Sequence, residues 1–107
     1  MNPSDAYVVM TSNFVDTIKD VDERAVLVNQ ALKHLSPTGV DFVVFDPGVS
    51  ANKREDQGRT LRIASEIVPD KVYAKLDDYG SAKNVSEQVG HSTSARYVLT
   101  LMMAEDY

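Results

Sequence analysis

Two apolar stretches decide the fold, Tyr7-Val8-Val9-Met10 and Val40-Asp41-Phe42-Val43-Val44-Phe45, with a segment of helical spacing between them. The first predicts a short buried strand over residues 6–10. The second predicts a strand that Asp46-Pro47-Gly48 brings to an end. A strand, an amphipathic helix and a strand in close succession are typical of a βαβ unit, whose strands run parallel in a sheet covered by helices. We therefore expect an α/β fold.

The segment between the two strands carries clear helix signals. Asp20 stands three residues before Glu23, which is the spacing of a helix N-cap. Apolar residues then recur at steps of four and three, which is the spacing of one buried helical stripe. The members of this predicted stripe are Val21, Ala25, Val28, Leu32 and Leu35. Pro37 and Gly39 end the helix.

Apolar and polar residues alternate less regularly in the second half of the chain. We predict a helix over residues 55–68, a strand over residues 72–76, a long polar loop over residues 77–94 and a last strand over residues 96–103. The predicted order is therefore β-α-β-α-β-β in a single domain over residues 1–107. We expect a mostly parallel sheet with an antiparallel last strand and with helices packed on it.

Composition excludes several classes of protein. The chain has 107 residues and a net charge of -5. This charge argues against nonspecific nucleic-acid binding, which needs a basic surface. No apolar run approaches the roughly 18 residues of a membrane span, and no basic region followed by an apolar stretch marks a signal peptide. The absence of cysteine removes disulfides, thiolate zinc sites and thiol nucleophiles. We expect a cytoplasmic protein that binds neither membranes nor nucleic acid.

The helix, the turn at residues 36–39 and the strand that follows also match a known pattern. They resemble the second half of a class I S-adenosylmethionine-dependent methyltransferase, where an Arg, Leu, Ala and Pro-Gly-Gly pattern precedes an apolar fifth strand. The resemblance covers roughly residues 5–103. The matching residues are Arg24, Leu27, Ala31, Leu35, Pro37 and Gly39, with Thr38 in place of the first glycine.

The family binds its cofactor mainly with its first half, through a glycine-rich turn and an acidic residue. This chain has no GxGxG pattern, and nothing precedes Asp5 that could form those strands. The resemblance therefore implies a methyltransferase-like partial or accessory subunit. It would bind no cofactor alone, and S-adenosylmethionine only together with a partner.

The missing half has a structural consequence for residues 6–10. In the family the corresponding strand lies at the centre of the sheet, whereas here it would become an edge strand with unpaired backbone groups. We expect a second copy or a partner subunit to cover that edge, giving a stable oligomer at micromolar concentration. The candidate interface residues are Tyr7, Val8, Val9, Met10, Val26 and Leu27.

Ligands of open α/β sheets bind beyond the carboxyl ends of the strands. The residues at those positions are Thr11, Ser12, Asn13, Phe14, Asp46 and Gly48, which are the candidates for a substrate or cofactor cleft. The alternative is that Asn13 and Asp46 only satisfy the backbone of turns. No residue is assigned a catalytic role, and no spacing of His and carboxylate residues predicts a metal site.

The remaining polar residues have simpler interpretations. His34 is predicted at a helix C-terminus, where a positive ring is favoured, and His91 in a solvated loop. Asp77-Asp78 is interpreted as a solvated turn rather than a catalytic pair of carboxylates.

Three functions remain open. The chain is a methyltransferase-like accessory subunit, a small acidic interaction module such as an inhibitor or adaptor, or a stand-alone enzyme with a site at the strand ends.

Overall fold

The computed structural model describes residues 1–107. It contains six strands: β1 (Ala6–Met10), β2 (Phe42–Asp46), β3 (Lys53–Glu55), β4 (Thr60–Ala64), β5 (Val72–Asp78) and β6 (Tyr97–Met103). The α-helices are α1 (Ser12–Thr17), α2 (Val21–His34) and α3 (Ala82–Val89). Single turns of 3₁₀-helix cover Pro3–Asp5, Asp56–Gly58 and Ala104–Asp106.

All six strands belong to one mixed sheet in the order β1-β6-β5-β2-β4-β3. Pairs β1/β6 and β2/β4 are parallel, and the other three pairs are antiparallel. The α/β class is confirmed, whereas the expectation of a mostly parallel sheet is not met. Strands β1 and β2 do run in the same direction, since β6 and β2 both lie antiparallel to β5. However, β6 and β5 lie between them.

Helix α2 begins where its cap predicts. The Asp20 carboxylate accepts the backbone N–H groups of Asp22 and Glu23 at 2.8 and 3.2 Å. The buried stripe is displaced from the predicted one, because Leu27 and Ala31 are buried while Val21 is 70% exposed. The helix carries apolar residues on more than one face, so its spacing alone did not fix which face meets the sheet.

The main core lies between one face of the sheet and helices α1 and α2. Inward residues alternate along the strands, as Val43 and Phe45 do in β2. From α1, Phe14 reaches the same cluster and is fully buried. Helix α3 covers one end of the opposite face, where it buries Val85, and Tyr107 stacks on Phe42 farther along that face. The rest of that face is free to form surface sites.

Residues 53–64 form a hairpin, so the predicted helix over residues 55–68 is wrong. Its turn has three consecutive left-handed residues, Asp56, Gln57 and Gly58, with φ of 53°, 56° and 87°. In β4 the residues alternate, with Leu61 and Ile63 buried. Five residues are too few to distinguish the two-residue apolar period of a strand from the 3.6-residue period of a helix. Pairing within the sheet makes this segment a strand.

Two short helices were not predicted. Helix α3 lies within the predicted loop 77–94, where the Ser81 hydroxyl accepts the Asn84 N–H at 3.1 Å and Gly90 ends the helix at φ 84°. Helix α1 begins directly after β1, because the Thr11 hydroxyl accepts the Phe14 N–H at 3.2 Å. Both helices are defined by their caps rather than by a long apolar stripe.

The last two strands lie close to their predicted positions. The strand predicted over residues 72–76 is β5, and the one predicted over residues 96–103 is β6. Strand β6 is antiparallel to β5, but it is also parallel to β1. The observed order is therefore β-α-α-β-β-β-β-α-β rather than β-α-β-α-β-β.

Candidate functional site

Strand β1 is one edge of the sheet, as predicted for residues 6–10. It pairs only with β6, in parallel register from Ala6 opposite Tyr97 to Met10 opposite Leu101. Its other side has no strand beside it.

The direction of the backbone groups along β1 follows from one hydrogen bond. The N–H of Thr11 donates to the Leu101 carbonyl at 3.1 Å, so Thr11 faces β6. Backbone direction alternates along a strand, and in a parallel pair the N–H and C=O of one residue point to the same neighbour. Tyr7 and Val9 therefore also face β6, while Val8 and Met10 direct their backbone groups outward from the sheet.

The opposite edge of the same sheet is built differently. Strand β3 has only three residues, Lys53, Arg54 and Glu55, and all three are charged. Short length and charge are the usual ways in which proteins prevent an edge strand from pairing with another chain. Strand β1 has five residues, none of them charged, and no proline. The two edges thus differ in the features that control strand addition.

Side chains of β1 line an apolar groove on the face that α1 and α2 leave uncovered. The groove has a volume of about 370 Å³, and Tyr7 and Val9 form its wall at the sheet edge. Val89 of α3 and Val98 of β6 form other parts of its lining. A strand added to β1 would extend this apolar surface.

The groove is bordered by the contact between Tyr7 and His91. The Tyr7 hydroxyl hydrogen-bonds to Nε2 of His91, and their ring centroids lie 5.0 Å apart. His91 lies in the exposed loop after α3, as predicted, and its Nδ1 contacts the Ser92 carbonyl at 3.2 Å. This contact connects the loop to β1.

The two helical interface candidates lie in different environments. Val26 is 45% exposed on α2, whereas Leu27 is completely buried in the core. Leu27 is therefore corrected to a core residue, because it cannot reach another chain while α2 stays packed on the sheet. The strand candidates Tyr7, Val8, Val9 and Met10 are all partly exposed.

The predicted cleft residues do not form one site. Thr11 and Asn13 donate to the two carboxylate oxygens of Asp106, at 2.7 and 2.6 Å. Ser12 is exposed, and Phe14 is buried in the core and so cannot line a cleft. The Thr11 and Asn13 hydrogen bonds hold the pKa of Asp106 below its ordinary value. The hydrogen bonds of Thr11 and Asn13 to Asp106 connect the end of β1 to the turn after β6.

Asp46 lies away from that group, since β6 and β5 separate β1 from β2. The residue is 5% exposed, and its carboxylate accepts the N–H of Gly48 and Nη1 of Arg62, both at 2.7 Å. A Cβ atom at Gly48 would lie 3.1 Å from the same carboxylate, so the turn favours glycine. Asp46 and Gly48 therefore form a turn that is joined to an ion pair.

Arg62 is the centre of a charged network that the sequence did not reveal. Besides Asp46, its guanidinium donates to Glu55 through Nε at 2.9 Å. Beside this network, Arg59 pairs with Asp41. These groups surround a cleft of about 630 Å³ on the uncovered face over β2, β4 and β5, where Arg62 and Glu55 belong to the lining.

The charges of this network are locked in their ionised forms. The Gly48 N–H and then Arg62 hold the pKa of Asp46 below its ordinary value, and Arg62 does the same for Glu55. The pKa of Arg62 is raised further by Glu55 and Asp46. All three shifts lead away from neutral pH, which suits a structural ion pair rather than general acid–base chemistry.

Aromatic side chains form another part of the cleft wall. Tyr107 stacks on Phe42 with ring centroids 5.3 Å apart and meets Tyr73 edge-on at 5.7 Å. The Lys75 amine lies 5.7 Å from the centroid of the Tyr107 ring. At the β2/β5 pairing Phe42 lies opposite Lys75 and Tyr73 lies opposite Val44, so only the strand order brings these rings together.

Comparisons with protein-family models, with curated proteins and with solved structures find no match to this chain. None of its helices is long and apolar enough to cross a bilayer. No three His, Asp or Glu side chains converge as ligands of a metal ion.

Proposed function

We propose that this protein is a small acidic interaction module, an inhibitor or adaptor, that binds a strand of another polypeptide at the free edge of β1. The observation that carries the proposal is the outward direction of the Val8 and Met10 backbone groups. Strand addition uses such groups for affinity and the alternating side chains for specificity. The charged and short β3 edge supports the choice of β1.

The charged cleft gives less support to a function of its own. Arg62 is already shared between Asp46 and Glu55, and Arg59 is paired with Asp41. A ligand there would have to break these ion pairs. The enzyme hypothesis at the strand ends stays a prediction with less support, because Thr11 and Asp46 lie at the ends of two strands that β6 and β5 separate.

The methyltransferase-like accessory role also stays a prediction. The family places a helix after its fifth strand, and residues 53–64 of this chain form a hairpin there. S-adenosylmethionine would then bind only if a partner supplied the rest of the cofactor site. The interaction module needs only the exposed edge.

The proposal is tested with a labelled peptide of residues 4–12, which contains the apolar strand sequence. We expect saturable binding in fluorescence anisotropy at low protein concentration. Val8→Pro removes an outward N–H that an added strand would need, and proline is tolerated at this side of an edge strand. It should weaken binding at least tenfold, roughly 1.4 kcal/mol.

Val8→Ala is the matched control, since it removes the same side chain but keeps the N–H. We expect it to bind the peptide within about threefold of the wild type, because most of the affinity of an added strand comes from main-chain hydrogen bonds. Equal binding by the proline and alanine variants, or no binding by the wild type, would contradict the proposal.

A further inference from the structure

We infer that the strand added to β1 is β1 of a second copy, in antiparallel orientation with Val8 on the two-fold axis. The inference rests on the proposed function, since it names the partner of the same edge. It joins two six-stranded sheets into one continuous sheet.

The backbone of β1 is self-complementary in this register. Val8 lies opposite Val8 of the second copy, and Met10 lies opposite Ala6 in both directions. These are the residues whose N–H and C=O groups point outward, as the Thr11 hydrogen bond to β6 fixes their direction. Facing residues of a hydrogen-bonded antiparallel pair exchange both bonds, which gives roughly six hydrogen bonds across the axis.

The side chains match in the same register. On the groove face, Tyr7 of each copy lies beside Val9 of the other, which is an aromatic and β-branched pair of the kind that stabilises sheets. On the core face, Val8 meets Val8, and the small Ala6 meets the long Met10. The groove of about 370 Å³ would therefore continue onto apolar side chains of the second copy.

The uncharged β1 offers a charged partner strand no ion pair that a second copy would lack. No residue from Ala6 to Met10 is charged, so a basic or acidic strand would gain no ion pair there. Asp5, the nearest acidic residue along the chain, lies in the 3₁₀ turn before β1 and outside the paired strands. The two Ala6 residues would be about 14 Å apart along the strands, so the two Asp5 residues lie at opposite ends of the pairing, beyond the screening length of about 8 Å at physiological salt.

The first test is the molecular mass in solution, measured by light scattering during size-exclusion chromatography from low to high micromolar concentration. We expect the wild type and Val8→Ala to reach twice the 11.8 kDa of the chain, and Val8→Pro to remain at the mass of one chain. Circular dichroism checks that the proline variant is folded. A wild type that stays monomeric, or a proline variant that dimerises equally, overturns the inference.

The second test fixes the register and does not depend on proline. The chain has no cysteine, so Val8→Cys and Met10→Cys each introduce a single thiol. Facing residues at the axis have Cα atoms about 5.5 Å apart, within the range of a disulfide. Two residues at position 10 would be about 14 Å apart and cannot form one.

Mild oxidation should therefore join Val8→Cys into a covalent dimer at least tenfold faster than Met10→Cys. Equal rates, or a faster reaction at position 10, would overturn the register.

The two proposals fail in different ways. A monomeric wild type that still binds the residue 4–12 peptide, with loss in Val8→Pro, removes the dimer but keeps the strand-binding function.

Discussion

Adjacent residues on α2 give a sharp test of which side chains belong to the core. Leu27 is fully buried and Val26 is 45% exposed. Leu27→Ala should lower the free energy of unfolding by about 3 kcal/mol, within the usual 2–5 kcal/mol for a buried leucine. Unfolding entropy of about 2.1 cal/mol/K per residue, over the length of this chain, converts 1 kcal/mol to roughly 4–5 °C. The expected fall in Tm is therefore about 13 °C.

Val26→Ala is the matched control, because it shortens a neighbouring apolar side chain in the same helix. The variant loses little burial and gains up to about 0.6 kcal/mol of helix propensity. Its Tm should stay within about 2 °C of the wild type. Both values are measured by thermal unfolding followed by circular dichroism. Equal falls in Tm, or a larger fall for Val26→Ala, would refute the placement of α2 on the sheet.

Three further predictions concern the turn at residues 56–58, the Arg62 ion pairs and the stability of the protein in acid. Gln57→Gly should be more stable than Gln57→Ala by about 1 kcal/mol, since residue 57 has φ 56° and only glycine adopts that region without strain; equal stability in urea unfolding would contradict the turn. Arg62→Lys should lower the Tm more than Arg59→Lys does, because lysine cannot bridge Asp46 and Glu55 with a planar fork; the reverse order in a thermal shift measurement would contradict the network. Asp78, at the end of β5 rather than in a solvated turn, accepts Nε and Nη2 of Arg96, both at 2.9 Å. Asp46, Glu55, Asp78 and Asp106 all have folded-state pKa values below their ordinary values of 3.8 to 4.5, so the unfolded chain takes up more protons in acid. The free energy of unfolding should therefore be steady from pH 7 to about 5 and fall as the pH drops below 4.5. A rise in the free energy of unfolding between pH 5 and 3, measured by denaturant titration, would contradict the hydrogen bonds and ion pairs of these four carboxylates.

Local signals in the sequence predicted the elements that have clear ends or strong burial. The Asp20 cap placed the start of α2, and the apolar runs placed β1 and β2. The edge position of β1 was also predicted. Helix α3 was missed because its eight residues bury only Val85, so its cap residues, Ser81 and Gly90, were its only signal.

Long-range pairing explains what the sequence did not predict. The β3–β4 hairpin is stabilised by the parallel pairing of β4 with β2. The spacing of apolar residues within the five residues of β4 does not indicate this long-range pairing. The Arg62 network depends on the same pairing, which brings Arg62 close to Asp46 across two strands. Likewise, nothing local in β1 indicates that β6 from the other end of the chain covers its inner side.

Amide hydrogen exchange along β1 distinguishes a free strand edge from one that pairs with a second copy. In dilute protein, the Tyr7 and Val9 amides should be protected by β6, while the Val8 and Met10 amides exchange fast because they face outward. At high micromolar concentration the Val8 and Met10 amides should become protected as well. Strong protection of Val8 and Met10 in the dilute monomer would contradict a free edge, and exchange of both amides that never changes with concentration would contradict its pairing with a second copy.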